Sequence, residues 1–222
     1  STRLPHIIMS AFRSSAIFLI ATVCSAQAFT QIGSFTFSAL LPVFFKEWGI
    51  THTEAGWLSG VIFLAYALSV PFILPITDRV DPRRVYICFV SLTCLSHLGM
   101  AYLADGFWSG MLFRILAGIG WGGTYMVGLK ALADLIEGPK QSRAVAFHAG
   151  SIGMGGSLSF VIAGWTSEHL DWHAAFNISA IGSFLALIIM IALVPSRTPS
   201  PQEDKTHPFD FLPVFKNKSV MA

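Results

Sequence analysis

Hydrophobic positions along the chain gather into six long runs, separated by short stretches that hold most of the charge. The runs lie near Ala16–Val43, Ala55–Ile76, Val85–Leu103, Phe107–Leu135, Ala144–Trp165 and Ala174–Val194. Each is long enough to cross a bilayer as a helix, which takes about 20 residues at roughly 1.5 Å apiece. The period-2 alternation of barrel strands is absent, so the runs predict an all-α integral membrane fold. Residues 1–194 form the six-span bundle in this reading. Residues 195–222 form a linker, polar between Pro199 and Pro208, that leads through Phe209–Lys218 towards a seventh span.

Composition narrows the class further. The chain has 222 residues, 54% hydrophobic and 12% charged, with a mean hydropathy of +0.64. Soluble domains carry about 25% charged residues and could not hide so much apolar surface. The net charge of +2 is spread over loops, so no nucleic-acid footprint is present. Cys24, Cys88 and Cys94 fall inside apolar runs and form neither a disulfide framework nor a metal-ligand spacing. No cofactor is implied. Arg13, Ile17–Cys24 and Ala26-Gln27-Ala28 mimic a signal peptide, but the apolar run continues to Phe45, which reads as an uncleaved first span.

Orientation follows from lysine and arginine. The loop Asp78-Arg79-Val80-Asp81-Pro82-Arg83-Arg84 sits between the second and third runs. Arg3, Arg13, Lys130, Lys140, Arg143, Arg197, Lys205, Lys216 and Lys218 fall on the same side, opposed by Lys46. Short loops rich in these residues stay cytoplasmic, so both ends of the chain are expected in the cytoplasm and the protein in the cell membrane.

Polar residues inside the runs are the candidate chemistry. Arg114 lies about 10 Å from the outer end of the fourth run. Arginine at a helix centre costs about 2.5–3.5 kcal/mol, so it requires a partner or a water-filled cavity. Gly118, Trp121 and Tyr125 share its helix face, and Arg114, Trp121 and Tyr125 could line a cavity together. The alternative is that Arg114 braces the bundle on backbone carbonyls or glutamines. In the first run, Gln27, Gln31, Ser34 and Ser38 make one polar stripe, read as facing a solute pathway. No Asp or Glu lies at membrane depth, so either coupling uses residues outside this chain, or His148 takes part, or the system is not proton-coupled. The many glycines of the fourth and fifth runs predict close helix packing.

An enzyme reading fails on geometry. Ala149-Gly150-Ser151 suggests an intramembrane serine nucleophile, but no neighbouring span supplies a histidine base; His169 and His173 lie in the outward loop.

Three motifs in order carry a resemblance. Asp78-Arg79-x-x-x-Arg83-Arg84 resembles the signature loop of the major facilitator superfamily. Arg114-x-x-x-Gly118-x-x-x-Gly122 resembles its second motif, and Asp171-Trp172-His173-x-x-Phe176 is similar to its entry into span six, with histidine replacing arginine. Leu74 and Asp81-Pro82 depart from the loop pattern, the fifth run lacks the Gly-Pro element of many drug antiporters, and span two carries no nitrate-type arginine. The resemblance implies a six-helix bundle built as a 3+3 repeat, half of a twelve-helix carrier, whose partners are a bilayer, a second six-helix half and a small solute. It implies secondary transport by alternating access, with Asp78, Arg79, Arg83 and Arg84 as a cytoplasmic gate and Asp134 or Glu137 as acidic partners of Arg83. Arg114 without an internal carboxylate points to a small organic anion, bound by Arg114, Gln27, Gln31, Trp121 and Tyr125. A non-transporting receptor or scaffold of carrier-like fold is the alternative class.

Overall fold

The computed structural model describes residues 16–136 and 138–196, and all of the regular structure among them is helical. Eight helices follow in order: α1 (Ala16–Gln31), α2 (Thr36–Ala39), α3 (Leu41–Glu47), α4 (His52–Ile73), α5 (Pro82–Tyr102), α6 (Phe107–Leu135), α7 (Pro139–His169) and α8 (Trp172–Leu193). A 3-10 turn, Leu74–Asp78, prolongs α4. Helices α4 to α8 are each long and apolar enough to cross a membrane. The linker expected over 195–222, apart from Pro195 and Ser196, lies outside the described residues, as do Glu137 and the arginines and lysines before Ala16 or after Ser196.

The ends of the spans are set by capping chemistry that hydropathy does not register. Helix α4 begins at His52, not Ala55, because Thr51 and Glu54 close a capping box: the Thr51 hydroxyl accepts from the Glu54 amide and the Glu54 carboxylate accepts from the Thr51 amide. Helix α5 begins at Pro82 because the Asp81 carboxylate accepts from the Arg83 amide at 3.0 Å, with proline in the first helical position. Asp81-Pro82, a departure from the family loop, is therefore a helix start. Helix α7 begins at Pro139, five residues earlier than hydropathy predicts, after Gly138 at φ +71°, a backbone conformation that favours glycine. The Asp171 carboxylate caps α8 on the Ala174 amide at 2.9 Å.

The first span differs most from expectation. A single helix over Ala16–Val43 is predicted; the structure breaks it at Ile32–Phe35, between α1 and the short α2 and α3. Gly33 lies in the break and leaves room for His97, since a Cβ there would sit 2.1 Å from that ring. Downstream, Pro42 lies in the first turn of α3. A broken helix at membrane depth persists only if its freed backbone groups are recaptured. Here they are: Ser159 donates to the carbonyls of Gln31 and Ile32, Thr36 also donates to Ile32, and Arg114 donates to Ser34.

The helices pack as two related sets of three. α1 packs on α7 and α8, while α6 packs on α4 and α5, and α5 meets α8. Exchanging the first three spans for the last three leaves this pairing unchanged, which is the 3+3 arrangement. A close seam runs between α4 and α6, and the second motif builds it. Arg114 reaches the Leu58 carbonyl, a Cβ on Gly118 would lie 2.3 Å from the Ile62 carbonyl, and Gly122 abuts Ser69 and the Tyr66 carbonyl. Each step of four along α6 matches a step along α4, as parallel helices in close approach require. Gly155 likewise admits the backbone of Ala28. Gly150, Gly153 and Gly164 face open space, so the expected close packing holds for only part of α7.

Five of the six tryptophans, Trp48, Trp57, Trp108, Trp165 and Trp172, sit at the bundle end opposite Asp78–Arg84. Several are widely exposed, the position that amphipathic rings take at a membrane interface. Trp121 alone lies mid-bundle.

Candidate functional site

Polar groups converge on the break in the first span. Gln27 and Gln31 are buried and bonded in series, Gln27 Nε2 donating to Gln31 Oε1 at 3.4 Å. The Ser34 hydroxyl donates to the same oxygen at 3.3 Å, and the Tyr86 hydroxyl reaches Gln27 Oε1 at 3.5 Å. The stripe predicted from spacing is thus one hydrogen-bonded row, with Ser38 half-buried beyond it.

Arg114 is 2% exposed and spends its donors on backbone. Its Nε donates to Leu58 O at 2.9 Å, one terminal nitrogen to Ser34 O at 3.2 Å and the other to Ser59 O at 3.3 Å. The guanidinium also lies 5.3 Å from the Phe37 ring centre. This geometry ties α6 to α4 and to the broken span. It is the bracing arrangement, and planar guanidinium suits it because several carbonyls can be served at fixed angles.

Trp121 and Tyr125 lie further along α6. Trp121 is buried against Ile62, with Tyr66 at 4.9 Å and Phe63 at 5.6 Å between ring centres. Tyr125 joins that cluster and stacks on His148, 5.0 Å away and 9° from parallel. Among the described residues, Gln31 Nε2, Trp121 Nε1, Ser59 Oγ and His97 Nε2 are buried without a hydrogen-bond partner. Buried polar atoms are nearly always paired, so these atoms stand out.

Two contributors escaped sequence reading. His97 fills the space that a side chain on Gly33 would take, and Ser159 holds the break's carbonyls. A histidine in the middle of the third apolar run was the available signal for His97. Ser151 donates to the His148 carbonyl at 2.5 Å, a backbone bond that offers no nucleophile–base pair.

At the opposite end of the site helices, Asp78 pairs with Lys130 at 3.3 Å, and Lys130 meets Asp134 one turn on at 3.5 Å. Arg83 reaches the last carbonyls of α8, its Nε to Met190 O at 3.1 Å and a terminal nitrogen to Ile191 O at 2.5 Å. Those carbonyls lack intrahelical donors and carry the negative end of the helix dipole, which makes them natural acceptors for arginine. Asp81 also accepts from Ser196 at 2.5 Å, so the loop holds both ends of α8's exit. Arg79 and Arg84 are exposed.

A helical bundle with a broken polar first helix and a charged loop between spans two and three is the arrangement that the resemblance implies. The sequence profile of the Major Facilitator Superfamily matches residues 23–221, and the chain belongs to that family. It is 25% identical to a niacin transporter of Acinetobacter baylyi over 69% of this chain and 35% of that protein. It is 27% identical to a probable 4-methylmuconolactone transporter of Cupriavidus pinatubonensis, over 69% of this chain and 36% of that protein. The chain thus spans little more than a third of the length of these relatives. Among solved structures, a proton:xylose symporter superposes with a TM-score of 0.68 at 18% identity, covering 84% of this chain and 46% of the symporter. The family and these relatives are transporters of small solutes, not enzymes.

Proposed function

We propose that the chain is the amino-terminal bundle of a secondary carrier for a small organic anion, working by alternating access against a second six-helix bundle. In this reading it sits in the cell membrane with both ends cytoplasmic, the side assigned by its lysines and arginines. The observation that carries the solute class is the pair of buried, unpartnered donors Gln31 Nε2 and Trp121 Nε1. An amide NH2 and an indole N–H can only donate, so the group that completes them is an acceptor such as a carboxylate. No described acid lies at membrane depth to repel it. Niacin, the solute of one relative, is a small ring carboxylate, and the rings of Trp121, Tyr125, Phe63 and Tyr66 offer faces for such a ring.

Arg114 acts in this account by holding the break and the α4–α6 seam, and its charge favours an anion nearby without touching it. Uptake of labelled niacin and other monocyclic carboxylates into proteoliposomes of the complete carrier tests the reading. Gln31→Ala and Trp121→Phe are each expected to weaken apparent affinity by about tenfold, the worth of one hydrogen bond to a charged acceptor. Unchanged affinity in both removes this solute site.

The gate is proposed at Asp78 and Lys130, which join the turn after α4 to α6. Charge pairs at the rim can break and reform as two bundles rock. Both partners are substantially exposed, so Asp78→Asn is expected to change stability by less than about 1 kcal/mol. Net transport by Asp78→Asn should nevertheless be abolished with membrane insertion intact. Normal flux excludes the gate.

A further inference from the structure

We propose that His148 is the proton-carrying group of this bundle, so that one proton crosses with each monovalent anion. The proposal rests on the anion reading above and adds its driving ion. His148 lies on α7 with no exposed surface. Its Nε2 is 3.0 Å from the Tyr125 carbonyl oxygen. A carbonyl only accepts, so Nε2 carries the hydrogen and the tautomer is fixed. That leaves Nδ1 as a bare lone pair, buried and without a partner among the described residues. The ring is neutral as placed and has room for one proton, at a defined atom.

The surroundings say what such a proton would meet. From α6, Tyr125 stacks on the ring. From α5, Tyr86 shares with His148 the space over Gly128, where a Cβ would lie 3.0 Å from His148 Cε1 and 3.4 Å from Tyr86 Cε2. Tyr66 of α4 lies beyond Tyr125, and Cys24 of α1 beyond Tyr86. Between Ala174 and Leu193, α8 has no titratable side chain. The nearest charged positions along these helices are Lys130, held by Asp78 and Asp134, Arg83, bonded to the Met190 and Ile191 carbonyls, exposed Arg84, and Lys140 and Arg143 at the start of α7. No described Asp or Glu stands at membrane depth to balance a histidinium.

The bound solute can supply that balance. Trp121, whose Nε1 is one of the two unpartnered donors, shares a cluster with Tyr125, and Tyr125 stacks directly on His148. Trp121, Tyr125 and His148 thus form one run of ring contacts, which a carboxylate held at Trp121 would join. Opposite charges so placed favour each other, and by linkage the gain is mutual: the anion binds more tightly to the protonated site by the factor with which it favours the proton. Nδ1 takes one proton from the water on one side and releases it on the other. No bond other than N–H forms or breaks, nothing is oxidised or reduced, and a monocarboxylate crosses without net charge.

The test is niacin transport by the complete carrier in proteoliposomes, as accumulation driven by an imposed pH gradient and as niacin–niacin exchange without one. In His148→Gln the amide can still donate to Tyr125 but no proton site remains. Gradient-driven accumulation is expected to fall about tenfold or more, to the level of simple equilibration, and niacin affinity is expected to lose its dependence on pH. Accumulation by His148→Gln at the unaltered level overturns the proposal. If the variant does not insert, niacin binding to the unaltered carrier in buffers of different ionisation enthalpy reads the same linkage. Uptake of about one proton per niacin is expected, and none overturns it. An unaltered carrier that exchanges niacin but ignores the pH gradient also overturns it, while sparing the anion reading. Failure to exchange niacin or any other monocyclic carboxylate overturns the anion reading itself.

Discussion

Replacing Arg114 by glutamine is expected to lower the unfolding midpoint of the bundle by about 10 °C. The change strips donors from three carbonyls, Ser34, Leu58 and Ser59, two of them on buried residues. A buried acceptor left unpaired costs about 1–3 kcal/mol, and glutamine can serve one of the three. The net loss is then about 3 kcal/mol or more, and each kcal/mol moves the midpoint of a domain this size by about 2–4 °C. Lysine should recover part of the loss, since an ammonium can donate but cannot span carbonyls on two helices at fixed angles. Thermal denaturation followed by tryptophan fluorescence in detergent measures this. An unchanged midpoint in Arg114→Gln would mean that the three bonds are dispensable, and the account of the break would fail with them.

Gly118→Val should act as strongly by a different route. The added Cβ would lie 2.3 Å from a backbone oxygen, Ile62 O, and 2.8 Å from the Ala65 Cβ. Neither neighbour is the end of a flexible side chain, so relief requires α4 and α6 to part. Overpacking of this kind costs about 1–3 kcal/mol, and it would also pull Arg114 away from Leu58 and Ser59. The expected result is loss of correctly inserted protein, or a midpoint lowered by several degrees. Gly164→Ala is the matched control: nothing lies within 4 Å of a Cβ there, and its midpoint should stay within about 2 °C. If the two behave alike, the α4–α6 seam is not the close approach described.

Much of this architecture was legible before any coordinates. The fourth span runs over Phe107–Leu135 in sequence and structure alike, because it is apolar at most positions and Gly106 precedes it. The other ends shift by a few residues wherever a cap, such as Thr51 with Glu54 or Asp81 before Pro82, recruits polar residues into the first turn. The first span misleads for a deeper reason. Hydropathy counts side chains, and Ile32–Phe35 stays apolar enough to pass as helix while its backbone bonds are lost to long-range donors. Ser159 and Arg114 are 127 and 80 positions away from the carbonyls of Ile32 and Ser34 that they satisfy. No local pattern carries that information.

The site divides in the same way. Spacing along one helix set Gln27 and Gln31 in one row, because neighbours four apart must align, and Ser34 joins that row from within the break. It could not say whether Arg114 faces a cavity or carbonyls, since that depends on which helices flank it. Nor could it assign the ends of the charged loop. Asp134 and Glu137 were the acids in view for Arg83, whereas the acceptors observed for its guanidinium are the Met190 and Ile191 carbonyls, groups that every helix end presents and no residue name reveals.

The central claim is a division of labour at the broken first span: Gln31 and Trp121 meet the solute, and Arg114 holds the break that positions them. Niacin affinity of the purified complete carrier, measured side by side in Gln31→Ala and Arg114→Lys, tests it most directly. The account predicts affinity weakened about tenfold in Gln31→Ala and within about threefold of the unaltered carrier in folded Arg114→Lys. The reverse pattern, with affinity lost in Arg114→Lys and kept in Gln31→Ala, would contradict it and return the anion to the guanidinium.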